Sequence, residues 1–143
     1  MAKKANVIKR GIRHARVDES GIMRAYFAEF EREKLHLGLV PDTVRAYRKT
    51  FEKFEEHFGE RMELAGDIIP SLFTEWAAAM KDEGLAAASI NHNLSGIRVF
   101  MYWCMELERE YLPYFKIRLV KRQQEIPKAY EKSLTDFAKQ FSP

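Results

Sequence analysis

The stretch Pro41-Asp42-Thr43-Val44-Arg45-Ala46-Tyr47-Arg48-Lys49-Thr50-Phe51-Glu52-Lys53-Phe54-Glu55-Glu56-His57-Phe58 decides the fold class. Val44, Tyr47, Phe51, Phe54 and Phe58 recur at intervals of three, four, three and four, which draws one apolar stripe along an α-helix. The other side carries Arg45, Arg48, Lys49, Glu52, Lys53, Glu55 and Glu56. Pro41 suits a first helical position, where its missing N–H leaves no bond unmade. Gly59 is a natural stop.

Working outward, the same periodicity continues and no convincing two-residue alternation interrupts it. A first helix is expected over residues 20–35, with Ser20 as N-cap and Ile22, Tyr26, Phe27 and Phe30 as its apolar face. His36-Leu37-Gly38 breaks it. Residues 60–69 read as a connector. A third helix starts near Pro70, buries Leu72, Phe73, Trp76 and Met80, and ends at Gly84. A fourth runs from Ala87 or Ser89 to about Glu108, with Ile90, Leu94, Ile97, Met101 and Cys104 as core stripe and Phe100 and Trp103 widening it. Gly96, inside that helix, is small enough to let a neighbour pack closely. Residues 114–128 are basic, contain Pro127, and read as a linker. Residues 131–141 allow one short helix, the opening of a further domain. The expected division is a basic arm over 1–19, an all-α domain over 20–113, and a linker with the start of an absent domain over 114–143.

Composition agrees with one globular domain: 143 residues, 46% apolar and 31% charged. A lone cysteine, Cys104, fits a reducing compartment, and no apolar run approaches the roughly 20 residues that span a bilayer. Met1-Ala2-Lys3-Lys4 leads into no apolar signal core, so the cytoplasm is the expected location and no membrane partner is expected. Net charge is +3, but it is unevenly placed. Residues 1–16 carry six Lys/Arg and no acid, residues 17–113 are acidic overall, and residues 114–143 are basic again. Basic flanks suit phosphate contacts, since Lys and Arg near a duplex release its condensed counterions.

Catalytic chemistry finds little support. His14, His36, His57 and His92 lie far apart and none has metal-ligand spacing with another His, Cys or carboxylate, so no metal or other cofactor is expected. Cys104 sits on a buried stripe, where a thiol is inert. No Gly-rich phosphate loop is present, and Glu29, Glu31 and Glu33, or Glu106, Glu108 and Glu110, read as solvated faces. The chain is not expected to be an enzyme by itself.

The informative residues lie on helix faces. At about 100° per residue, Asn91, Ser95, Arg98 and Tyr102 share one side of the fourth helix, with Ser89 near its start and His92 at the border. Short hydrogen-bonding groups beside a guanidinium read base edges and phosphates, and a helix fits the major groove. On the second helix Thr43, Arg45, Arg48 and Lys49 offer similar contacts, and Lys116, Arg118, Lys121 and Arg122 offer a basic anchor after the body.

Three segments together resemble a known family. Residues 41–47, Pro-Asp-Thr-Val-Arg-Ala-Tyr, followed by Phe51 and Phe54, are similar to the S-P-x-T-x-x-x-Y…F segment of the N-terminal core-binding domain of tyrosine recombinases, or phage integrases. Residues 84–100, Gly-Leu-Ala-Ala-Ala-Ser-Ile-Asn-His-Asn-Leu-Ser-Gly-Ile-Arg-Val-Phe, resemble that family's G-L-S-x-x-T-I-N-R-x-L-S-A-L-R-x-F. Ile126-Pro127-Lys128-Ala129-Tyr130 looks like the linker into its catalytic domain.

The resemblance, covering residues 22–130, implies a four- to five-helix SAM-like orthogonal bundle that forms half of a C-shaped clamp on double-stranded DNA. It implies that the second and fourth helices face the major groove, and that the domain grips a recombination site during DNA integration and excision. Its partners would be the catalytic domain of the same parent protein and other recombinase protomers, near a prokaryotic nucleoid. Reaction chemistry, an Arg-Lys-His-x-x-Arg set and a Tyr nucleophile, belongs to the other half; no His here has Arg three residues later. Two departures stand out. Val40 replaces a common Ser cap, a loss of about 1 kcal/mol, and His92 replaces a common Arg. The arm over 1–16 is too short for the separate arm-binding domain of some integrases.

Two other readings compete. Met80, Gly84 and Ile90 have roughly the spacing of a helix-turn-helix regulator, although Asn93 stands where that motif wants an apolar residue. The acidic body also suits a helical protein-interaction module.

Overall fold

A computed structural model describes residues 17–121. Residues 1–16 of the basic arm, Arg122, the segment at 126–130 and the short helix expected over 131–141 lie outside the described residues. Within them the chain forms four α-helices: α1 (Met23–His36), α2 (Pro41–Phe58), α3 (Pro70–Asp82) and α4 (Ala87–Met105). Two 3-10 turns, Gly59–Met62 and Ala65–Asp67, occupy the expected connector. No strand occurs among the described residues apart from an isolated antiparallel bridge between Ile22 and Leu64.

That bridge corrects the expected start of α1. Ser20 does not cap the helix: its N–H and hydroxyl both bond Asp18 Oδ1, at 3.0 and 2.6 Å. The chain then passes extended along the connector, where Met23 N–H donates to Glu63 O (2.9 Å) and Ala65 N–H to Gly21 O (2.7 Å). Helical geometry begins only at Met23, which is buried, whereas Ile22 is 52% exposed and is not part of the core face. α2 starts at Pro41 and stops at Gly59 as its spacing predicts, and Val40 supplies no side-chain cap.

α3 ends in a turn that needs glycine. Gly84 has φ +94°, its N–H reaches Lys81 O (2.9 Å) and Leu85 N–H reaches Met80 O (3.1 Å), which satisfies the last carbonyls of the helix. α4 is shorter than expected, ending at Met105 and not Glu108. There the backbone folds back, with Tyr111 N–H donating to Cys104 O (2.8 Å). Arg109 N–H and Glu110 N–H close the turn on Glu106 O, and the Arg109 guanidinium lies 4.0 Å over the Trp103 ring and donates to Glu33 Oε1 (2.8 Å).

The core sits where α4 crosses the other helices. Phe27 and Phe51 stack at 4.4 Å, and Phe100 of α4 meets both edge-on, at 5.0 and 5.5 Å. A second layer sets Phe54 against Phe73 and Trp76, each at 5.3 Å. Such aromatic pairs contribute about 0.5–1.5 kcal/mol each beyond the area they bury. α2 and α4 touch at Thr50 and Gly96, where a Cβ on residue 96 would stand 3.0 Å from Thr50 Oγ1 and 3.1 Å from its Cγ2. The absence of a side chain at 96 is therefore what sets the α2–α4 approach.

The body does not end where the linker was expected to begin. Leu112 and Ile117 are buried, the latter 1% exposed, and Phe115 rests against Phe73 at 5.9 Å. Residues 113–121 run extended back along α4, from its C-terminal end towards its start.

Candidate nucleic-acid interface

The α2–α4 contact arranges the polar faces. Around α2, helical geometry sets Lys49 beyond Ala46 on the side that turns from Thr50 towards solvent; around α4, His92, Val99 and Ser95 follow from Gly96 in the same sense. Lys49, His92 and Val99 are exposed and Ser95 is half-buried. The outer face of the crossing is thus bordered by Lys49 on one side and by the extended segment on the other. Thr43 and Ser89, both exposed, stand near the starts of their helices.

The remaining residues of α2 are less free. Arg45 pairs with Asp42 one turn earlier. Arg48 Nε–H donates to Glu31 Oε2 (2.6 Å) of α1, so it lies on the flank away from α4 and is not brought to the same face. Both guanidiniums thereby carry a nearby compensating carboxylate.

The largest difference from the sequence expectation is on α4. Asn91, Arg98 and Tyr102 do share one side, but that side is covered by the chain itself. Asn91 Nδ2–H donates to Val120 O (3.0 Å) while its Oδ1 accepts from Val120 N–H (2.8 Å). Tyr102 OH accepts from Ile117 N–H (3.0 Å) and donates to Ile117 O (3.4 Å), an oxygen that Arg98 Nη1–H also reaches at 3.2 Å. Lys116, Arg118 and Lys121 are exposed along this segment. The signal that could have revealed the docking is the alternation Phe115-Lys116-Ile117-Arg118, apolar then basic, a short half-buried extended run.

The acids read as solvated faces are engaged as well. Glu33 accepts from Trp103 Nε1–H (2.7 Å) and from Arg109, and these donors hold its carboxyl below the ordinary range. Glu29 accepts from Tyr111 OH (2.8 Å), and burial together with that carboxylate pushes the Tyr111 phenol up to about 12. Both contacts tie α1 to the turn after α4.

No chemistry-bearing cluster emerges among the described residues. Cys104 is buried, and burial pushes its thiol well above the usual range. Among the described residues no group of His, Cys, Asp or Glu is placed to hold a metal ion. Asn93, 7% exposed, donates to Met80 Sδ (3.2 Å) and serves the packing of α3 on α4. None of the described helices is long and apolar enough to cross a membrane.

The model of one protein family, phage integrase N-terminal SAM-like domain, matches residues 23–107, from the first residue of α1 to just past the end of α4. No curated protein and no solved structure matches the chain.

Proposed function

The chain belongs to the phage integrase N-terminal SAM-like domain family, and from that premise we propose that it grips double-stranded DNA as one half of a recombinase clamp. The duplex lies across the outer face of the α2–α4 crossing. Lys49 and His92, with Lys116, Arg118 and Lys121 of the extended segment, meet phosphates, while Ser89, Ser95 and Thr43 offer short hydrogen-bonding groups to backbone or base edges. Arg45 can join by exchanging Asp42 for a phosphate; Arg48, turned towards α1, stays with Glu31. Phosphodiester cleavage falls to a catalytic domain of the same parent protein, and other protomers complete the assembly during integration and excision. The recombination site would lie in cytoplasmic DNA.

One observation carries this reading. Lys49, Lys116, Arg118 and Lys121 are exposed with no acid paired to them among the described residues, as are Lys53 on α2 and Arg32 and Lys81 elsewhere, while Arg24, Arg48, Arg61 and Arg109 all hold carboxylates. Uncompensated cations along one face are an electrostatic footprint for a polyanion. The test is an amide NMR titration of the full chain with a generic duplex at low salt. Shifts clustered on residues 43–49, 89–99 and 116–121 are expected. Shifts confined to residues 1–16, or none, would overturn the proposal and favour a protein-interaction module.

A further inference from the structure

Asn91, Arg98 and Tyr102 have the residue types of a base-reading face, yet all three are occupied by two residues of the chain's own main chain. The Asn91 carboxamide presents a donor and an acceptor side by side, and it meets the N–H and C=O of Val120 as a neighbouring strand would. Tyr102 treats Ile117 in the same two-way fashion, and Arg98 adds a second donor to the Ile117 carbonyl. These bonds do not stand alone. Ile117 is buried and Phe115 rests on Phe73, so lifting the whole segment to free Asn91, Arg98 and Tyr102 for bases would also bring apolar side chains into water.

We propose that Asn91, Arg98 and Tyr102 are positioning residues that act on DNA through the segment 117–120 and do not touch it. With Ile117 buried against α4, its neighbours Lys116 and Arg118 are exposed, and Lys121, also exposed, follows directly after the Val120 contact. The three cations are then held at fixed places beside His92 and Ser95, as a third element of the interface after α2 and α4. A cation already held where a phosphate will sit binds more tightly than one on a loose tail, because its ordering has been done on folding. The inference rests on the duplex-binding reading above and adds to it how the C-terminal cations are recruited.

A double-mutant cycle on duplex affinity of the full chain at fixed low salt separates direct from indirect action. Asn91→Ala is expected to weaken binding about fivefold to tenfold in the native background. In a chain already carrying Lys116→Ala, Arg118→Ala and Lys121→Ala, the same substitution should change affinity by less than about twofold. Equal losses in both backgrounds would overturn the proposal and make Asn91 a DNA contact, while leaving duplex binding itself intact. Absence of binding by the unsubstituted chain would instead remove the proposed function, and this inference with it. Hydrogen exchange gives the second readout: the Val120 amide should be protected in the native chain and exposed in Asn91→Ala, with Met101 protection unchanged. Tyr102→Phe, which removes one hydroxyl, should release the Ile117 amide likewise. Persistent protection of Val120 and Ile117 in these variants would refute the holding role.

Discussion

Replacing Ile117 by Ala tests whether the segment after α4 is part of the folded body. The residue lies beyond the span matched by the family model, in a stretch whose composition reads as linker, yet its side chain is 1% exposed. Removing the three carbons beyond Cβ forfeits about 2.4 kcal/mol at about 0.8 kcal/mol for each buried methylene. A cavity left against α4 raises this to about 3 kcal/mol, moderated if the extended segment can settle inward. In a domain of this size, that corresponds to a fall in Tm of about 12 °C. The assay is urea unfolding followed by tryptophan fluorescence, with thermal melts alongside. Leu119→Ala, two residues on and 39% exposed, serves as the control and should stay within about 0.5 kcal/mol. If Ile117→Ala were as mild as Leu119→Ala, the segment would be a loose linker, and the argument built on its docking would fail.

Other expectations follow from the packing and the titrating groups. Gly96→Leu should destabilise by about 1–3 kcal/mol in urea, because its side chain must displace Thr50; a neutral result would mean that the α2–α4 contact tolerates spreading. Glu33 has a lowered folded pKa, so its stabilising effect is present above the usual 4.5 and is lost as pH falls through the lowered value. Glu33→Gln should therefore flatten the acid limb of stability as pH falls below the usual 4.5, measured as urea midpoints, and an unchanged slope would contradict the assignment. Tyr111 has a raised folded pKa, so its contribution is complete below the ordinary 10.0 and disappears as pH rises through about 12. Tyrosinate absorbance of the folded protein should show a late step that Tyr111→Phe diminishes, since Tyr26 beside it is also raised by burial; complete ionisation near the ordinary value would refute it.

Helices were legible wherever an apolar stripe was long enough to fix its own period. The residues Val44, Phe51, Phe54 and Phe58 are buried as their spacing predicts, and so are Leu72, Phe73, Trp76 and Met80. Boundaries failed where contacts other than helix preference decide: Ser20 is taken by its near neighbour Asp18 while the Ile22–Leu64 bridge delays α1 to Met23, and beyond Met105 Arg109 is held over Trp103 and does not extend α4. The polar side of α4 was correctly grouped but its occupant was not foreseen. Helical geometry can say that Asn91, Arg98 and Tyr102 face one way; it cannot say that residues 117–120 return to meet them, since that contact spans up to 29 positions in the chain. Likewise Glu29 and Glu33 look like solvent-facing acids until Tyr111 and Arg109, some eighty residues away, are brought over them.

α4 is the last helix of the described body, yet it is the one against which α1, α2 and α3 all pack. Synthesis runs the other way. As the chain emerges at about 5–20 residues per second, Phe27, Phe30 and Phe51 appear well before Phe100 and Trp103, the rings that cover them. The nascent protein therefore passes through an interval in which a half-built aromatic layer faces the cell. A ribosome that stalls before Met105 releases a fragment with no means of closing that layer. Chaperone demand during translation should accordingly peak late, and collapse only once the fourth helix is free to swing in.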